Sequence, residues 1–235
     1  MNKVLSVSVA SLVSCLFLFS CQMQCNTCEF QSITIDLDEH TVELQRLSLI
    51  KDIRIVRLET NDSVLVGRID KVLIHDGKIY IGDFYASQSL FIFDMQGKAI
   101  RKISRKGRGP GEYIQLRDFF IDDQSGTLNL LTRNSSEILS FDLDGTSLIS
   151  QTELPKELVA ICPMRDGVVG YAGGYAQDGS YELWILDENY KVVRGDILIE
   201  KGWESMYYND AYAFSSYDGV GYFLAPRENL IYSCS

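Results

Sequence analysis

The stretch Ile69-Asp70-Lys71-Val72-Leu73-Ile74-His75-Asp76-Gly77-Lys78-Ile79-Tyr80-Ile81-Gly82-Asp83-Phe84 reads as two short antiparallel strands, 69–74 and 78–84, joined at Asp76-Gly77. An Asp-Gly pair supplies the positive φ of a tight hairpin, and the β-branched and aromatic residues beside it suit a pleated surface. Two more strands follow at 89–93 and 99–104, around the turn Met95-Gln96-Gly97. The four-strand unit then recurs as 116–121, 127–132, 137–141 and 146–151, with Asp144-Gly145 before its last strand. A third copy runs through 158–164, 168–172, 181–186 and 191–199, turning at Asp166-Gly167 and 187–189, with a longer hairpin inserted at 173–180. The fourth copy offers 210–215, 220–224 and 229–233 around Asp218-Gly219, and the pattern holds no outermost strand for it.

Gly77 and Gly219 lie 142 positions apart, so three repeats average about 47 residues. A four-strand unit of that length cannot bury both of its faces alone and must stack on neighbours, which predicts an all-β chain built as a β-propeller of four-stranded antiparallel blades.

The first twenty residues stand outside that pattern. Lys3, an apolar run from 4 to 19 and a small residue before Cys21 have the layout of an export signal, too short for a comfortable membrane span. Leu18-Phe19-Ser20-Cys21 resembles a bacterial lipobox, so Cys21 is the expected lipidation site, and acyl chains there would hold the protein at a membrane. Residues 21–31 then form a lipidated tether, and 32–235 the propeller domain. An ordinary secretory signal with a chance cysteine is the other reading. Cys25 and Cys28 form a CxxC in the tether, without the βαβ context or second ligand pair that redox or metal chemistry needs. Cys162 and Cys234 fall in predicted strands and read as small buried side chains.

Without the signal the chain carries 21 basic and 32 acidic residues, a balance that speaks against nucleic acid as a partner. Residues 32–37 alternate as a strand, 41–49 are weakly helical in spacing, and 53–58 reads as a strand before the first complete unit.

The run Gly107-Arg108-Gly109-Pro110-Gly111-Glu112-Tyr113, preceded by Phe93-Asp94-Met95-Gln96-Gly97-Lys98, resembles the joint between blades of NHL-type six-bladed propellers. With Ile55-Val56-Arg57-Leu58-Glu59-Thr60 and Val66-Gly67-Arg68-Ile69, it is similar to the exported six-bladed β-propeller lipoproteins of gut-dwelling Gram-negative bacteria. The resemblance covers roughly residue 32 to the end. It implies a cell-envelope location, lipid-anchored and at the outer membrane, on its periplasmic or its surface side, and leaves the ligand open. Six blades of about 47 residues need on the order of 280 residues, so about 3.5–4 of six blades are expected, as a truncated form or an arc completed by another chain. In such a propeller, strand 53–58 would finish the last blade.

The glycine run lacks the Lys-Ser/Thr of a phosphate loop, and Pro110 interrupts GxGxxG where a helix should begin. Glycines permitting a tight crossing between blades are the favoured reading. Around the run lie Arg101, Lys102, Arg105, Lys106 and Arg108. Strand alternation sends Arg101 and Lys102 to opposite faces, whereas Arg105, Lys106 and Arg108 share a loop. These three are ligand-binding candidates for an anionic group on a glycan or lipid; the competing reading is a solvated loop with Arg108 paired to Glu112. Nine of the thirteen tyrosines fall between Tyr171 and Tyr222, and Trp203, Tyr207 and Tyr208, in a linker between blades, are candidates to stack on sugars.

Catalytic residues cannot be assigned. His40 and His75 are the only histidines, and no spacing suggests a metal site. Some six-bladed propellers hold calcium or hydrolyse lactones at the axial channel, and Asp118 and Asp210, near the starts of inner strands, are the channel candidates. The expectation is therefore a membrane-anchored, non-enzymatic module binding a glycan or an envelope protein, with no required cofactor. The competing expectations are a carboxylate- or calcium-dependent hydrolase or lyase, or a non-functional fragment.

Overall fold

The computed structural model describes residues 52–133, 136–173, 180–199, 214–225 and 230–234. The signal, Cys21, the tether with Cys25 and Cys28, the segments 32–37 and 41–49, and His40, Trp203, Tyr207, Tyr208 and Asp210 all lie outside the described residues.

Among the described residues, fifteen strands form four antiparallel sheets in chain order. The first blade comprises β1 (Lys71–His75), β2 (Lys78–Asp83), β3 (Ser89–Asp94) and β4 (Ala99–Ile103). In the second are β5 (Leu116–Asp122), β6 (Thr127–Thr132), β7 (Glu137–Asp142) and β8 (Leu148–Glu153). The third contains β9 (Ala160–Met164), β10 (Gly167–Tyr171), β11 (Tyr181–Leu186) and β12 (Val192–Leu198). The fourth holds β13 (Phe214–Tyr217), β14 (Val220–Ala225) and β15 (Leu230–Cys234). Each strand follows its neighbour in sequence as well as in the sheet, an up-and-down meander that short hairpins can close. Asp76-Gly77 and Asp218-Gly219 carry positive φ at both positions, 49° and 69°, then 50° and 73°, as the type I′ hairpin requires.

The core lies between blades, and strand alternation builds it. Phe119 of β5 turns toward the first blade and packs with Tyr80, Leu90 and Ile92. Its neighbour Phe120 turns the other way, toward Leu158, Ile161 and Trp184 of the third blade. Beyond that, Val169, Tyr171 and Leu183 meet Phe223 and Ala225 of the fourth. Burying a side chain of this size stabilises by roughly 1.5–3 kcal/mol, and each blade offers such groups on both faces, so stacking rather than any single sheet supports the fold.

One expected strand is not formed. Residues 53–58 form no strand and pair with no sheet among the described residues. Instead Val56 and Leu58, with Val64 and Val66, pack on Ile79, Ile81, Phe91 and Phe93, the face of the first blade turned away from the second. Apolar alternation alone cannot tell a paired strand from an extended cover, because both bury every second residue. Gly97, at φ 83°, lets this cover approach: a Cβ there would lie 2.1 Å from the Arg57 carbonyl oxygen.

Candidate functional site

The crossing from β4 to β5 is built by its own backbone. The Tyr113 amide donates to the Arg105 carbonyl at 2.8 Å, and the Gly107 amide to the Tyr113 carbonyl at 3.0 Å, which folds residues 105–113 into a closed loop. The Tyr113 ring is buried, its hydroxyl donates to the Gln88 carbonyl at 2.9 Å, and burial pushes the phenol up to about 12. Gly111 has φ 71°.

Inside the loop sits a carboxylate from the loop itself. Glu112 Oε2 accepts from the Gly109 amide at 2.8 Å, and a Cβ at Gly107 would lie only 1.9 Å from that oxygen. The glycines therefore serve two ends: they permit the crossing, and they make room for Glu112. Backbone amides of a glycine loop attract anions, and here the chain supplies its own.

This arrangement separates the basic candidates. Arg105 is half-buried, its guanidinium 5.4 Å above the centre of the Phe141 ring and 3.4 Å from the Gly111 carbonyl. It holds the loop to the second blade. Lys106 is exposed and bridges to Tyr113 only through the backbone. Arg108 projects at a cleft of ≈ 270 Å³ that also takes in Glu112, Thr132, Glu137 and Gln151. The Arg108–Glu112 ion pair of the competing solvated-loop reading is not formed; Glu112 turns to Gly109 instead. Gln151 organises the cleft floor, accepting from the Gly111 amide at 2.8 Å and donating to Glu137 Oε2 at 2.9 Å. Thr132, Glu137 and Gln151 escaped the sequence reading because they come from β6, β7 and β8, whose ends meet the loop only once the blade is folded. Arg101 and Lys102 do face opposite ways, toward Thr146 of the second blade and over the Phe91 ring.

A second cavity, of ≈ 250 Å³, lies on the axis, walled by the inner strands β1, β5, β9 and β13. Beside it, Asp118 is fully buried. Its Oδ1 lies 2.7 Å from Lys71 Nζ and accepts from the Phe119 amide, while Oδ2 accepts from the Ile161 amide at 2.9 Å. Burial raises the Asp118 pKa, opposed by the Lys71 charge. One carboxylate thus ties together the first, second and third blades. At the rim, His75 Nδ1 lies 3.3 Å from Asp123 Oδ1, the Gln124 side-chain amide donates to the Arg165 carbonyl, and the Arg165 amide donates to Gly219 at 3.0 Å. The inner hairpins of the four blades are linked in sequence by these contacts. Among the described residues, no three His, Cys, Asp or Glu side chains converge as metal ligands.

Blades stacked in order about an axis, with clefts at their ends, define a β-propeller. The chain belongs to the family described as a domain of unknown function, DUF4934, whose model matches residues 32–235. Among solved structures it is similar to a Bacteroides fragilis protein whose export is inferred, at 20% identity and a TM-score of 0.67. That match covers 77% of this chain and 51% of the other, so this chain spans about half the length of the protein it matches. Weaker likenesses are a DUF4221 family member from Bacteroides vulgatus (10% identity, TM-score 0.46, 75% of this chain and 55% of the other) and a protein of unknown function from Bacteroides caccae (13%, 0.42, 53% and 47%). No curated protein matches the sequence.

Proposed function

We propose that this protein is an exported, lipid-anchored β-propeller that binds a neutral glycan at the cleft beside Gly107–Tyr113. The observation that carries the reading is the Arg108 guanidinium, without an acidic partner among the described residues, set in one cleft with Glu112, Glu137, Gln151 and Thr132. Sugar hydroxyls both donate and accept, and this set offers donors and acceptors with planar geometry. Two carboxylates against one cation oppose an anionic ligand, which narrows the chemistry suggested by Arg105, Lys106 and Arg108 as a basic patch. Export and anchoring are supported by the signal layout of residues 1–20 with Cys21, and by the inferred export of the Bacteroides fragilis protein. The outer membrane is the compartment proposed.

Binding of the full chain, in detergent, to an array of neutral, uronic and sulfated oligosaccharides tests the ligand. Neutral glycans should bind; Arg108→Ala should weaken them by about tenfold or more, as expected for a hydrogen bond from a charged group, and Gln151→Ala, at an exposed neutral side chain, by a smaller factor. Equal binding by Arg108→Ala and the parent would dismiss this cleft. Labelling with radioactive palmitate, lost in Cys21→Ser, tests the anchor independently.

A further inference from the structure

The axial cavity has a charged floor, an apolar shaft and a polar mouth. Side chains two apart on a strand share a face, so Lys71, Leu73 and His75 follow one another on the side of β1 turned to the second blade, and all three line the cavity. The first and last of them are separated by roughly 13 Å at about 3.3 Å per residue. Lys71 forms the floor: its side chain is only 16% exposed, beside the fully buried Asp118. At the mouth Asp123 is 79% exposed, with His75 Nδ1 3.3 Å away. Between the two, Leu73, Ile161 and Phe214, from three blades, supply apolar wall. β5 starts at the crossing that holds the Gly107–Tyr113 loop and ends at the hairpin that holds Asp123, so this mouth opens at the end of the blades opposite that cleft.

The floor is arranged to donate. Asp118 accepts from the Lys71 ammonium and from the Phe119 and Ile161 amides. Lys71 is less fully used, because among the described residues its ammonium donates to one acceptor, Asp118 Oδ1. An ammonium carries three N–H groups, so donors remain for whatever enters the cavity. Net charge, by contrast, is opposed there. An anion against Lys71 would stand beside the buried Asp118 carboxylate, and a cation would meet the ammonium itself. Poor solvation at the floor strengthens either repulsion.

We propose that the axial cavity is a second ligand site, which takes a small uncharged molecule with an acceptor oxygen at one end of an apolar body. The oxygen, of a carbonyl or a hydroxyl, accepts from Lys71. The body lies along Leu73, Ile161 and Phe214, and a polar group at its far end meets His75, Asp123 or Ser216 at the mouth. A volume of ≈ 250 Å³ suits a single substituted ring, and a mostly apolar wall with a few converging polar groups is the common form of a small-molecule site. None of these residues belongs to the Gly107–Tyr113 cleft, so the two sites stand or fall separately.

Benzamide, benzoate and benzylammonium share one body and differ in charge, which makes them the probes. Each is titrated into the full chain in non-ionic detergent, with carbon-13 methyl groups on Ile and Leu. Benzamide should shift the Leu73 and Ile161 methyl signals saturably by about 10 mM, and the two ions should bind at least about tenfold more weakly. Lys71→Met combined with Asp118→Asn removes the ammonium without leaving a buried charge, and should weaken benzamide by about tenfold or more. Ser216→Phe, at an exposed position on the cavity wall, should fill the site and abolish the shifts with the thermal transition retained. Three results each overturn the proposal: cavity methyl signals that benzamide leaves unmoved, an ion that binds as well as benzamide, or unchanged affinity in a folded Ser216→Phe chain.

Discussion

The Lys71 ammonium of the first blade lies 2.7 Å from the fully buried Asp118 carboxylate of the second, and the same carboxylate receives the Ile161 amide of the third. Removing one partner of such a pair leaves a charge and an amide unpaired in a poor solvent. Asp118→Ala is expected to lower unfolding stability by about 3–5 kcal/mol, and Asp118→Asn by less, because the amide oxygen can still accept from Ile161. Urea unfolding of both variants decides this. Equal losses would mean that the backbone bond contributes nothing.

Asp83 responds to pH in a defined direction. Burial works against its charge, but the amides of Ser87, Ala86, Arg68 and Gly67 all donate to it, at 2.8–3.1 Å, and hold its pKa below the usual carboxylate value. A folded-state pKa below the unfolded one contributes stability that is complete above the unfolded value and lost as pH falls through the folded value. Asp83→Asn should therefore cost about 1.5–3 kcal/mol at neutral pH, and the gap from the parent should close as the pH falls below the ordinary carboxylate value and through the lower folded one. Chemical denaturation across that range measures it, and a gap independent of pH would contradict the assignment.

Gly97→Ala should release the N-terminal cover. The new methyl meets the Arg57 carbonyl and must adopt φ 83°, where L residues are strained, so a loss of about 1–3 kcal/mol is expected. Limited proteolysis should cut within 53–66 faster in the variant, whereas Gly77→Ala, with open space around its Cβ, should leave that segment protected.

Cys162 should resist alkylation until the chain unfolds. It is buried between the third and fourth blades, and burial pushes the thiol up to about 12, so thiolate is scarce at neutral pH. Peptide-level mass spectrometry after iodoacetamide at pH 8 should show Cys162 unmodified in the native chain and modified in denaturant. Rapid native labelling would place it at a surface.

The strands were legible because their cause is local. Residues 127–132 and 181–186 were read to the residue, and the other described strands shifted by a few positions at their ends, since β-branched runs and Asp-Gly turns act within a handful of neighbours. Segment 53–58 misled because its alternation reflects burial against another sheet, not pairing. The site was less legible. Arg108 was visible as a loop cation, but its separation from Arg105 depends on Phe141, and its company of Thr132, Glu137 and Gln151 on the folding of a blade.

Repetition of strand and turn, a short-range property, was enough to determine a stack of four-stranded sheets. Tertiary structure alone decided that Glu112 would fill its own glycine loop, that Asp118 would join three blades, and that the cover would protect Ile79. Each of these rests on groups far apart in the chain, whose charge and surface acquire an environment only when the blades close on one another.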